Sequence, residues 1–424
     1  MASKESVVPQ HAMDLFKALN IERRNSSLLH IGDRNWEKLL RFADLAHVTL
    51  PLARRTDVKL PSWVRERLDT NLIDNEIRFD LIKSTYIEAD KCLREAQVEY
   101  AIIKGFTLAP DYVEEPWFRQ QSDLDLYCGP NGIKAAQDAL LTIGYKPEKY
   151  LNYSGADHTP TLLRLGDWRW RGNAFDPEMP LSVELHFCLW NEKVTLLADH
   201  EMQNFFSMRE RRRIAGMDVP SLRNIDILGH LSMHILRNLL VHDKVIHHLY
   251  ELARFLHARA RDETYWKLWT EQHSEELRLK EAISFELAKQ CFGCELPETA
   301  KEQIRRLPKE QKAWLTQCGR MPMTRMFKEN RDAVWLHWSL LNDWKEKKVL
   351  FRRNFLPNRL PDPDVIVNAL NGRDVPNIKG TRWGRMALYC CRRVVTYLLL
   401  HCRTLYHWLV WRFRILTDSL LIVE

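Results

Sequence analysis

Apolar residues recur at helical spacing through most of the first hundred positions of the chain. Between residues 13 and 50 they fall mostly one to four positions apart, which predicts amphipathic helices. The clearest series consists of Trp36, Leu39, Leu40, Phe42, Ala43 and Leu45. Residues 61–97 continue with apolar positions at helical spacing, which predicts one long helix. Residues 1–98 are therefore expected to form a helical N-terminal segment.

The period of the pattern changes to two after this segment. Residues 99–103 (EYAII) form a short apolar run that is typical of a strand, and residues 122–127 (SDLDLY) alternate strictly. A second alternating run follows at residues 181–187 (LSVELHF), and residues 131–145 between them have a helical pattern. Strands and a helix in this order predict an α/β core over residues 99–200.

Helical periodicity returns after the core and predicts a helical domain over residues 201–350. Residues 351–380 hold four Pro and two Gly, which is the composition of a linker. The last segment, residues 381–424, is basic, rich in aromatic residues and amphipathic in its helical pattern. The expected fold class is α+β, with a small mixed-sheet core flanked by helical N-terminal and C-terminal segments.

The net charge of +7 is concentrated at the C-terminal end of the chain. Residues 381–424 hold seven Arg and no Lys against Asp418 and Glu424, a balance of +5, so the first 380 residues carry about +2. A surface that binds nucleic acid needs positive charge clustered along the path of the backbone. The charge pattern therefore gives no strong signal for a nucleic-acid partner.

Cysteine usage and the first residues bear on the location of the protein. The nine Cys have no disulfide-like spacing, and the opening residues, MASKESVVPQHAMDLF, lack the basic and then apolar pattern of a signal peptide. The longest apolar run of the last segment, Val394–Leu400, is far shorter than the ~20 residues that span a bilayer. We expect a cytoplasmic protein without a membrane-spanning segment.

Two acidic residues, Asp123 and Asp125, lie on one face of the first alternating run, with Cα atoms about 7 Å apart. Carboxylates this close raise each other's pKa unless a cation lies between them. Glu184 on the second alternating run could complete a site for Mg²⁺ or Mn²⁺, which prefer carboxylate and phosphate oxygens. The alternative interpretation is that the two aspartates form the solvent-exposed face of a strand.

Several segments around these acids resemble a known family. KGFTLAPDY, RQQSDLDLY and SVELHF are similar to the uncharacterised bacterial nucleotidyltransferase family, a member of the DNA polymerase beta-like nucleotidyltransferase superfamily. The segments VEYAIIKG and DILGHLSMHILR are also similar, so the resemblance extends from about Trp36 to about Pro357. It implies a metal-dependent enzyme that transfers a nucleoside monophosphate from a nucleoside triphosphate (NTP) to an acceptor, which the sequence does not identify.

The resemblance also implies roles for individual residues. Asp123, Asp125 and Glu184 are expected to be both the catalytic residues and the ligands of Mg²⁺ or Mn²⁺. The residues expected to bind the nucleotide phosphates are Lys104, Gly105 and Arg119. The histidines expected to surround the site are His186, His230 and His234.

One position departs from the wider superfamily, in which a Ser commonly follows the glycine after the first strand. Here the sequence is Lys104-Gly105-Phe106, without a hydroxyl to hold the triphosphate. Either Lys104 contacts the phosphates as a point charge, or nucleotide binding has weakened. The second case would make the chain a catalytically silent scaffold with the same fold that binds a biosynthetic partner.

Other polar residues have simpler expected roles. His230 and His234 lie four positions apart on a predicted helix, where a packed or hydrogen-bonded pair is favoured over a zinc site. The run from His242 to His248 is expected to be a surface turn between helices. Asp157 and His158 stand in a predicted loop between the strands, from which they could approach a substrate. Their spacing gives no further support for this role, so solvent exposure is the favoured expectation.

The last segment, residues 381–424, interleaves arginines with Trp and Tyr. This composition is typical of a helix that lies in the interface of an anionic membrane. The same composition fits a helix that docks onto a protein partner, or one that closes the fold with its arginines paired to acids elsewhere. The pattern favours the membrane surface among the three.

Overall fold

A computed structural model of the chain describes residues 8–22, 31–55, 60–148, 157–164, 166–327, 330–356 and 382–420. The protein is α+β, with a mixed sheet of seven strands, as the hydrophobic pattern predicts. The chain divides into two compact units. The larger unit comprises residues 1–307 with 322–327, and the smaller unit comprises residues 308–321 with 328–424.

The described residues form sixteen α-helices and seven β-strands. The helices are α1 (Gln10–Ala18), α2 (Asp33–Leu45), α3 (Thr49–Ala53), α4 (Ser62–Glu95), α5 (Gly129–Thr142), α6 (Glu192–Thr195), α7 (Asn224–Leu240), α8 (Ile246–Ala258), α9 (Glu263–Gln272), α10 (Glu275–Phe292), α11 (Glu298–Arg306), α12 (Lys309–Cys318), α13 (Met321–Arg325), α14 (Ala333–Leu340), α15 (Trp344–Phe355) and α16 (Arg382–Leu420). The strands are β1 (Ala101–Ile102), β2 (Asp123–Tyr127), β3 (Lys146–Pro147), β4 (Leu162–Leu163), β5 (Ser182–His186), β6 (Glu210–Ile214) and β7 (Met217–Ser221).

The strand order across the sheet is β3-β4-β5-β2-β1-β7-β6. At its centre β2 pairs in parallel with β5, while β1 pairs antiparallel with β2 and parallel with β7. The hairpin of β6 and β7 forms one edge, and its turn places both Ala215 and Gly216 at positive φ. The sheet is therefore mixed, and its two central parallel strands are the two alternating runs of the sequence.

The apolar face of the central strands is covered by α4 and α5. The fully buried leucines Leu124 and Leu126 of β2 and Leu185 of β5 belong to this core. The other members from the helices include Phe79, Ile82, Tyr86, Leu93, Ala136 and Leu140. Because side chains alternate along a strand, the residues between these leucines must project from the opposite face of the sheet.

The long helix α4 also positions the chain that leads into β2. It spans 34 residues without an internal Gly or Pro, which is why it continues unbroken after Pro61. From its buried side, the Asn75 side-chain amide donates hydrogen bonds to the carbonyl oxygens of Trp117 and Arg119. The buried Arg78 donates from Nε to the carbonyl oxygen of Gln121 at 3.0 Å. These bonds hold the segment directly before the acidic strand.

The remaining helices of the larger unit include a bundle in which α10 packs against both α7 and α8. A buried acid, Glu281 on α10, accepts hydrogen bonds from the Trp269 indole at 2.8 Å and from His273 Nδ1 at 3.0 Å. Both partners lie on or just after α9, so one carboxylate links two helices.

In the smaller unit, α16 packs one face against α12, which also contacts α14. Trp335 of α14 stacks on Trp411 of α16 with ring centroids 6.4 Å apart, and His407 Nδ1 lies 2.6 Å from Asp332 Oδ2. Among the residues described, no helix is long and apolar enough to cross a membrane.

Some features of the fold differ from the sequence-based expectation. The two-residue strands β3 and β4 and the β6–β7 hairpin were not predicted, because they are short or strongly charged (ERRRI in β6). Helix α15 extends to Phe355, into the predicted linker, and the rest of that linker, 357–380, lies outside the described residues. The division into five segments stays a prediction.

Candidate active site

The two central strands bring the predicted carboxylates together. In the parallel pairing of β2 with β5, Asp125 lies directly opposite Glu184 and Asp123 lies opposite Ser182. All three acids alternate with core leucines, so they project from the face of the sheet that α4 and α5 leave uncovered. The acids belong to rigid strands rather than to a loop, which fixes their separation.

Asp125 is the most strongly engaged of the three acids. Its Oδ1 accepts from Lys104 Nζ at 3.0 Å and from His186 Nε2 at 2.9 Å, and the residue is only 4% exposed. Burial alone would raise the pKa of Asp125, but the charges and hydrogen bonds of Lys104 and His186 hold it well below its ordinary value. Asp125 is therefore a permanent carboxylate.

Asp123 has the opposite electrostatic situation on the same strand. Burial and the neighbouring Asp125 carboxylate raise the pKa of Asp123 to about 7. The Asp123 backbone carbonyl accepts a hydrogen bond from Gln121 Nε2 at 2.7 Å, which fixes the start of the strand. A carboxylate with a raised pKa next to one that stays charged marks a place where a further positive charge is favourable.

One carboxylate oxygen of Glu184 accepts a hydrogen bond, and the other lies near two histidines. Thr161 Oγ1 donates to Glu184 Oε1 at 3.1 Å. The other oxygen, Oε2, lies 3.8 Å from His158 Nε2 and 3.9 Å from His186 Nε2. The Glu184 side chain keeps 22% of its surface exposed, so Oε2 is accessible from the cleft.

Two further charged residues, Asp157 and Arg237, form an ion pair next to His186. Asp157 Oδ1 lies 3.8 Å from His186 Nδ1 and 3.6 Å from the guanidinium of Arg237. His158 forms an antiparallel bridge with His186, so this segment runs beside β5. The expectation that Asp157 is solvent-exposed is wrong, since it is 7% exposed, and His158 is half-buried.

The turn after β1 has a geometric requirement for glycine. Gly105 adopts φ +71°, which side chains rarely tolerate, and a Cβ there would collide with the Gln121 side chain. The preceding Lys104 enters the site, whereas Gly105 lies behind it, packed against Gln121. The structure thus assigns Lys104 to the cleft wall and Gly105 to the support of β2.

Arg119 also reaches the cleft, but it is not free. Its Nε lies 2.8 Å from Glu251 Oε1, and both side chains are about nine-tenths buried. Glu251 also contacts His248 Nδ1 at 3.2 Å. The Glu251 carboxylate therefore neutralises part of the positive charge that Arg119 brings to the cleft.

The histidines of α7 and α8 form the wall facing the sheet. His234 lines the cleft with Nε2 3.1 Å from Asn238 Nδ2, and His230 lies one turn behind it, with ring centroids 6.1 Å apart. Burial lowers the pKa of His230 to about 3, so it is neutral. The predicted surface turn is wrong for His247 and His248, which lie in α8 and line the cleft.

Together these residues enclose a polar cleft of about 400 Å³. Five acids line it together with several basic groups, so it can hold both a cation and an anion. The acids are Asp123, Asp125, Asp157, Glu184 and Asp243, and the basic groups are Lys104, Arg119, Arg237 and Lys244.

The donor set fits a divalent metal ion. Ligand atoms of Asp125, Glu184 and His186 all lie within 4.8 Å of one another. This group includes His186, which the resemblance placed outside the ligands, and it does not include Asp123. Two carboxylates and one imidazole are side chains that commonly bind divalent metal ions in proteins.

The fold and the cleft define a class of protein, a transferase-like α+β core with clustered acids. Comparison with known proteins agrees with this class. The model of a family described as an uncharacterised nucleotidyltransferase matches residues 32–293. Because this match covers more than half of the chain, the protein belongs to that nucleotidyltransferase family. The match lies within the larger unit and ends before the smaller one. No match was found among the curated proteins or among the solved structures.

Sequence reasoning missed Arg237 as a residue of the cleft, and it favoured solvent exposure for Asp157. Asp157 carried no periodic signal, because it lies in an irregular connection. Arg237 lies within the segment DILGHLSMHILR, one turn after His234, and this spacing places both on one face of α7. The helical period was therefore an available signal for Arg237, and none existed for Asp157.

Proposed function

We propose that this protein transfers a nucleoside monophosphate from an NTP to a hydroxyl group of an acceptor. The observation that carries the proposal is the alignment of Asp123, Asp125 and Glu184 on two paired strands at a cleft, in a member of a nucleotidyltransferase family. In the reaction, the acceptor oxygen bonds to the α-phosphorus while the bond from that phosphorus to the β-bridging oxygen breaks. Pyrophosphate leaves with the electron pair of that bond.

Asp125 and Glu184, with Asp123 or His186, would hold Mg²⁺ or Mn²⁺. When bound, the metal ion supplies Lewis-acid stabilisation of the phosphate charge. Asp125 is suited to this role because Lys104 and His186 already keep it ionised. The raised pKa of Asp123 supports the same assignment, since a cation would favour its charged form.

Glu184 is proposed to take the proton from the acceptor hydroxyl. Its Oε1 is held by Thr161, which leaves Oε2 to receive a proton from a group in the cleft. The pairing with β2 keeps this oxygen beside Asp125.

Basic groups of the cleft are proposed to bind the phosphates. Lys104 and Arg119 contribute positive charge, while Gly105 positions Lys104 through the turn after β1. Arg237 is added to this set, because its Nε is buried without a hydrogen-bond partner among the residues described. These cations are proposed to hold the triphosphate in place of the serine hydroxyl that holds it in the wider superfamily.

The alternative of a catalytically silent scaffold is less well supported. A scaffold has no need to keep three acids, a lysine and an arginine around one cleft, where buried charge lowers stability. The observation that favours the scaffold is that no Ser follows Gly105.

The test is nucleotide binding followed by transfer. Each NTP is added to the purified full chain with Mn²⁺, with Mg²⁺ or with EDTA, and the melting temperature is recorded. We expect a metal-dependent rise with at least one NTP, and release of pyrophosphate when a cell extract supplies acceptors. Binding without any pyrophosphate release would favour the scaffold, and absence of both would contradict the proposal.

We also propose that the protein attaches to anionic membrane surfaces from the cytoplasm through α16. The face of this helix turned away from α12 exposes nine large apolar residues. They are Val394, Val395, Leu398, Leu399, Leu405, Tyr406, Leu409, Phe413 and Leu416. This exposed apolar stripe belongs to a chain segment with seven Arg and two acids. An anionic lipid surface therefore fits it better as a binding partner than a second basic helix does.

A further inference from the structure

A second and larger cleft, of about 720 Å³, adjoins the carboxylate cleft in the larger unit. The two clefts share four wall residues, namely His47, Gln120, Ser122 and Lys244. Ser122 directly precedes Asp123 in the chain. A molecule in the second cleft can therefore extend a group past Ser122 to the carboxylates.

The wall of this second cleft contains buried polar atoms that have no partner. Asn71 of α4 is only 7% exposed, and its Nδ2 has no hydrogen-bond partner among the described residues. Gln120 Oε1, on the wall shared with the active site, is likewise buried and unpartnered in the described part of the chain. One offers a hydrogen-bond donor and the other an acceptor. Leaving such atoms unpaired costs stability, which a bound ligand would recover.

An open aromatic ring stands at the rim of the same cleft. Trp170 is 59% exposed, which is unusual for so large an apolar side chain. Its neighbour Trp168 is anchored by a hydrogen bond from its indole to Asp176 Oδ2 at 3.0 Å, and the two rings pack edge to face at 6.3 Å. Trp168 thus steadies Trp170 while leaving ring surface available for stacking.

The charges of this cleft are nearly balanced. Arg67 and Asp44 form an ion pair at 2.5 Å, so these two charges neutralise each other. The other charged residues of the wall are Arg41, Asp74 and Lys244. Such a surface lacks the cluster of cations that a phosphate-rich or other polyanionic ligand requires.

We propose that the second cleft binds the acceptor, and that the acceptor is an uncharged sugar ring whose hydroxyl receives the nucleoside monophosphate. This inference rests on the proposed function for the identity of the reaction. A sugar hydroxyl both donates and accepts, so neighbouring hydroxyls satisfy Gln120 Oε1 and Asn71 Nδ2 together. The apolar face of the ring stacks on Trp170, and the reacting hydroxyl passes Ser122 towards Glu184.

The experiment measures sugar binding without any nucleotide, so it does not depend on turnover. Saturation-transfer NMR is recorded on the full chain with methyl glucoside, methyl galactoside, N-acetylglucosamine and, as a planar probe without hydroxyls, adenine. We expect at least one sugar to bind the wild type. Trp170→Ala and Asn71→Ala should each weaken that binding at least tenfold. Trp344→Ala removes a Trp of equal exposure (58%) in the smaller unit and should leave it unchanged.

Three outcomes of this experiment would overturn the inference. Absence of binding by every sugar, binding of adenine alone, or equal sugar binding by all three variants would each show that the cleft is not a sugar site. The metal-dependent NTP shift of the wild type is measured in parallel. If sugar binding fails while that shift persists, only this inference is wrong. If sugar binding depends on Trp170 and Asn71 while no NTP binds, the sugar site stands and the proposed function fails.

Discussion

At the scale of single residues, the most informative contrast lies within β2. Asp125 accepts from two cationic or polar partners, whereas Asp123 lies beside another carboxylate. Removing the charge of Asp125 should therefore cost far more stability than removing the charge of Asp123, although both changes remove part of the same site.

We expect Asp125→Asn to destabilise the metal-free protein by about 3 kcal/mol, because Lys104 loses its buried counter-charge. Asp123→Asn should change stability by less than about 1 kcal/mol or raise it, because it relieves repulsion. Both variants should lose metal-dependent NTP binding. Urea unfolding in EDTA and the NTP thermal shift measure the two effects. Equal destabilisation by both substitutions would contradict the assignment of Lys104 to Asp125.

A second prediction at this scale concerns Glu184. If Glu184 accepts the proton of the acceptor, Glu184→Gln should lower kcat by about a hundredfold to ten-thousandfold. NTP binding should weaken far less, because the amide oxygen of Gln can still bind the metal ion. The amide oxygen of Gln can still accept from Thr161, so the side chain keeps its position. Parallel measurement of pyrophosphate release and NTP binding checks this. A loss of affinity as large as the loss of turnover would make Glu184 a metal ligand only.

How much of the site the sequence predicts depends on the element that carries each residue. Asp123, Asp125 and Glu184 lie on regular strands, so a period of two was enough to place them on one face. The helical period places Arg237 on the same face of α7 as His234, but it does not specify which element that face packs against. Asp157 depends on an irregular connection that pairs with β5, and long-range pairing of this kind leaves no local signal.

At the scale of elements, regular segments were predicted and edge segments were not. The long helix α4 has continuous helical spacing and no internal Gly or Pro, so its bounds agree with the expected residues 61–97 within two positions. Strand β6 is three-fifths arginine and is held by its pairing with β7, so its own composition does not indicate a strand. In such a segment, pairing with a neighbouring strand rather than local composition determines the secondary structure.

The junction of α9 and α10 yields a prediction about pH. Burial lowers the pKa of His273, but the charge and hydrogen bonds of Glu281 outweigh this and raise it above the ordinary value. A raised folded-state pKa means that this pair contributes its full stability below about pH 6.5. The contribution is lost as the pH rises through the pKa of the folded state.

Glu281→Gln removes the charge but keeps an acceptor for the Trp269 indole. We expect it to destabilise the protein by about 2 kcal/mol near pH 6, and by clearly less near pH 9. Taking the difference between wild type and variant cancels the titration of distant histidines. Urea unfolding at both pH values measures it, and a difference that grows with pH would refute the pairing.

At the scale of the whole molecule, charge is divided unequally between the two units. The smaller unit holds twenty Lys and Arg against ten Asp and Glu, whereas the larger unit holds 43 against 46. The enzyme-like cleft therefore belongs to a nearly neutral unit, and the exposed apolar stripe of α16 belongs to a strongly basic one. Positive charge beside exposed apolar residues is the combination that binds anionic lipid.

The full chain should therefore co-sediment with vesicles that contain phosphatidylserine, and less so at high salt, because each basic residue near the surface contributes on the order of 1 kcal/mol. Replacing Leu398, Leu405 and Leu409 by Ser should weaken vesicle binding by about a hundredfold, since each leucine contributes about 1 kcal/mol of apolar transfer. Point substitutions are preferable to truncation, because the buried Trp411 of α16 belongs to the core of the smaller unit.

The matched control replaces three equally exposed isoleucines of α4, namely Ile73, Ile77 and Ile87, by Ser. This control should bind vesicles like the wild type, because it removes similar apolar area from a helix outside the basic unit. If neither triple variant changes vesicle binding, α16 is not the attachment site. A different result would be that the wild type does not bind vesicles and sediments as a dimer, while the α16 variant sediments as a monomer. The apolar stripe would then be an interface between two copies of the chain. Only loss of vesicle binding confined to the α16 variant, with erosion by salt, supports the membrane surface, since both the apolar stripe and the arginines are then required.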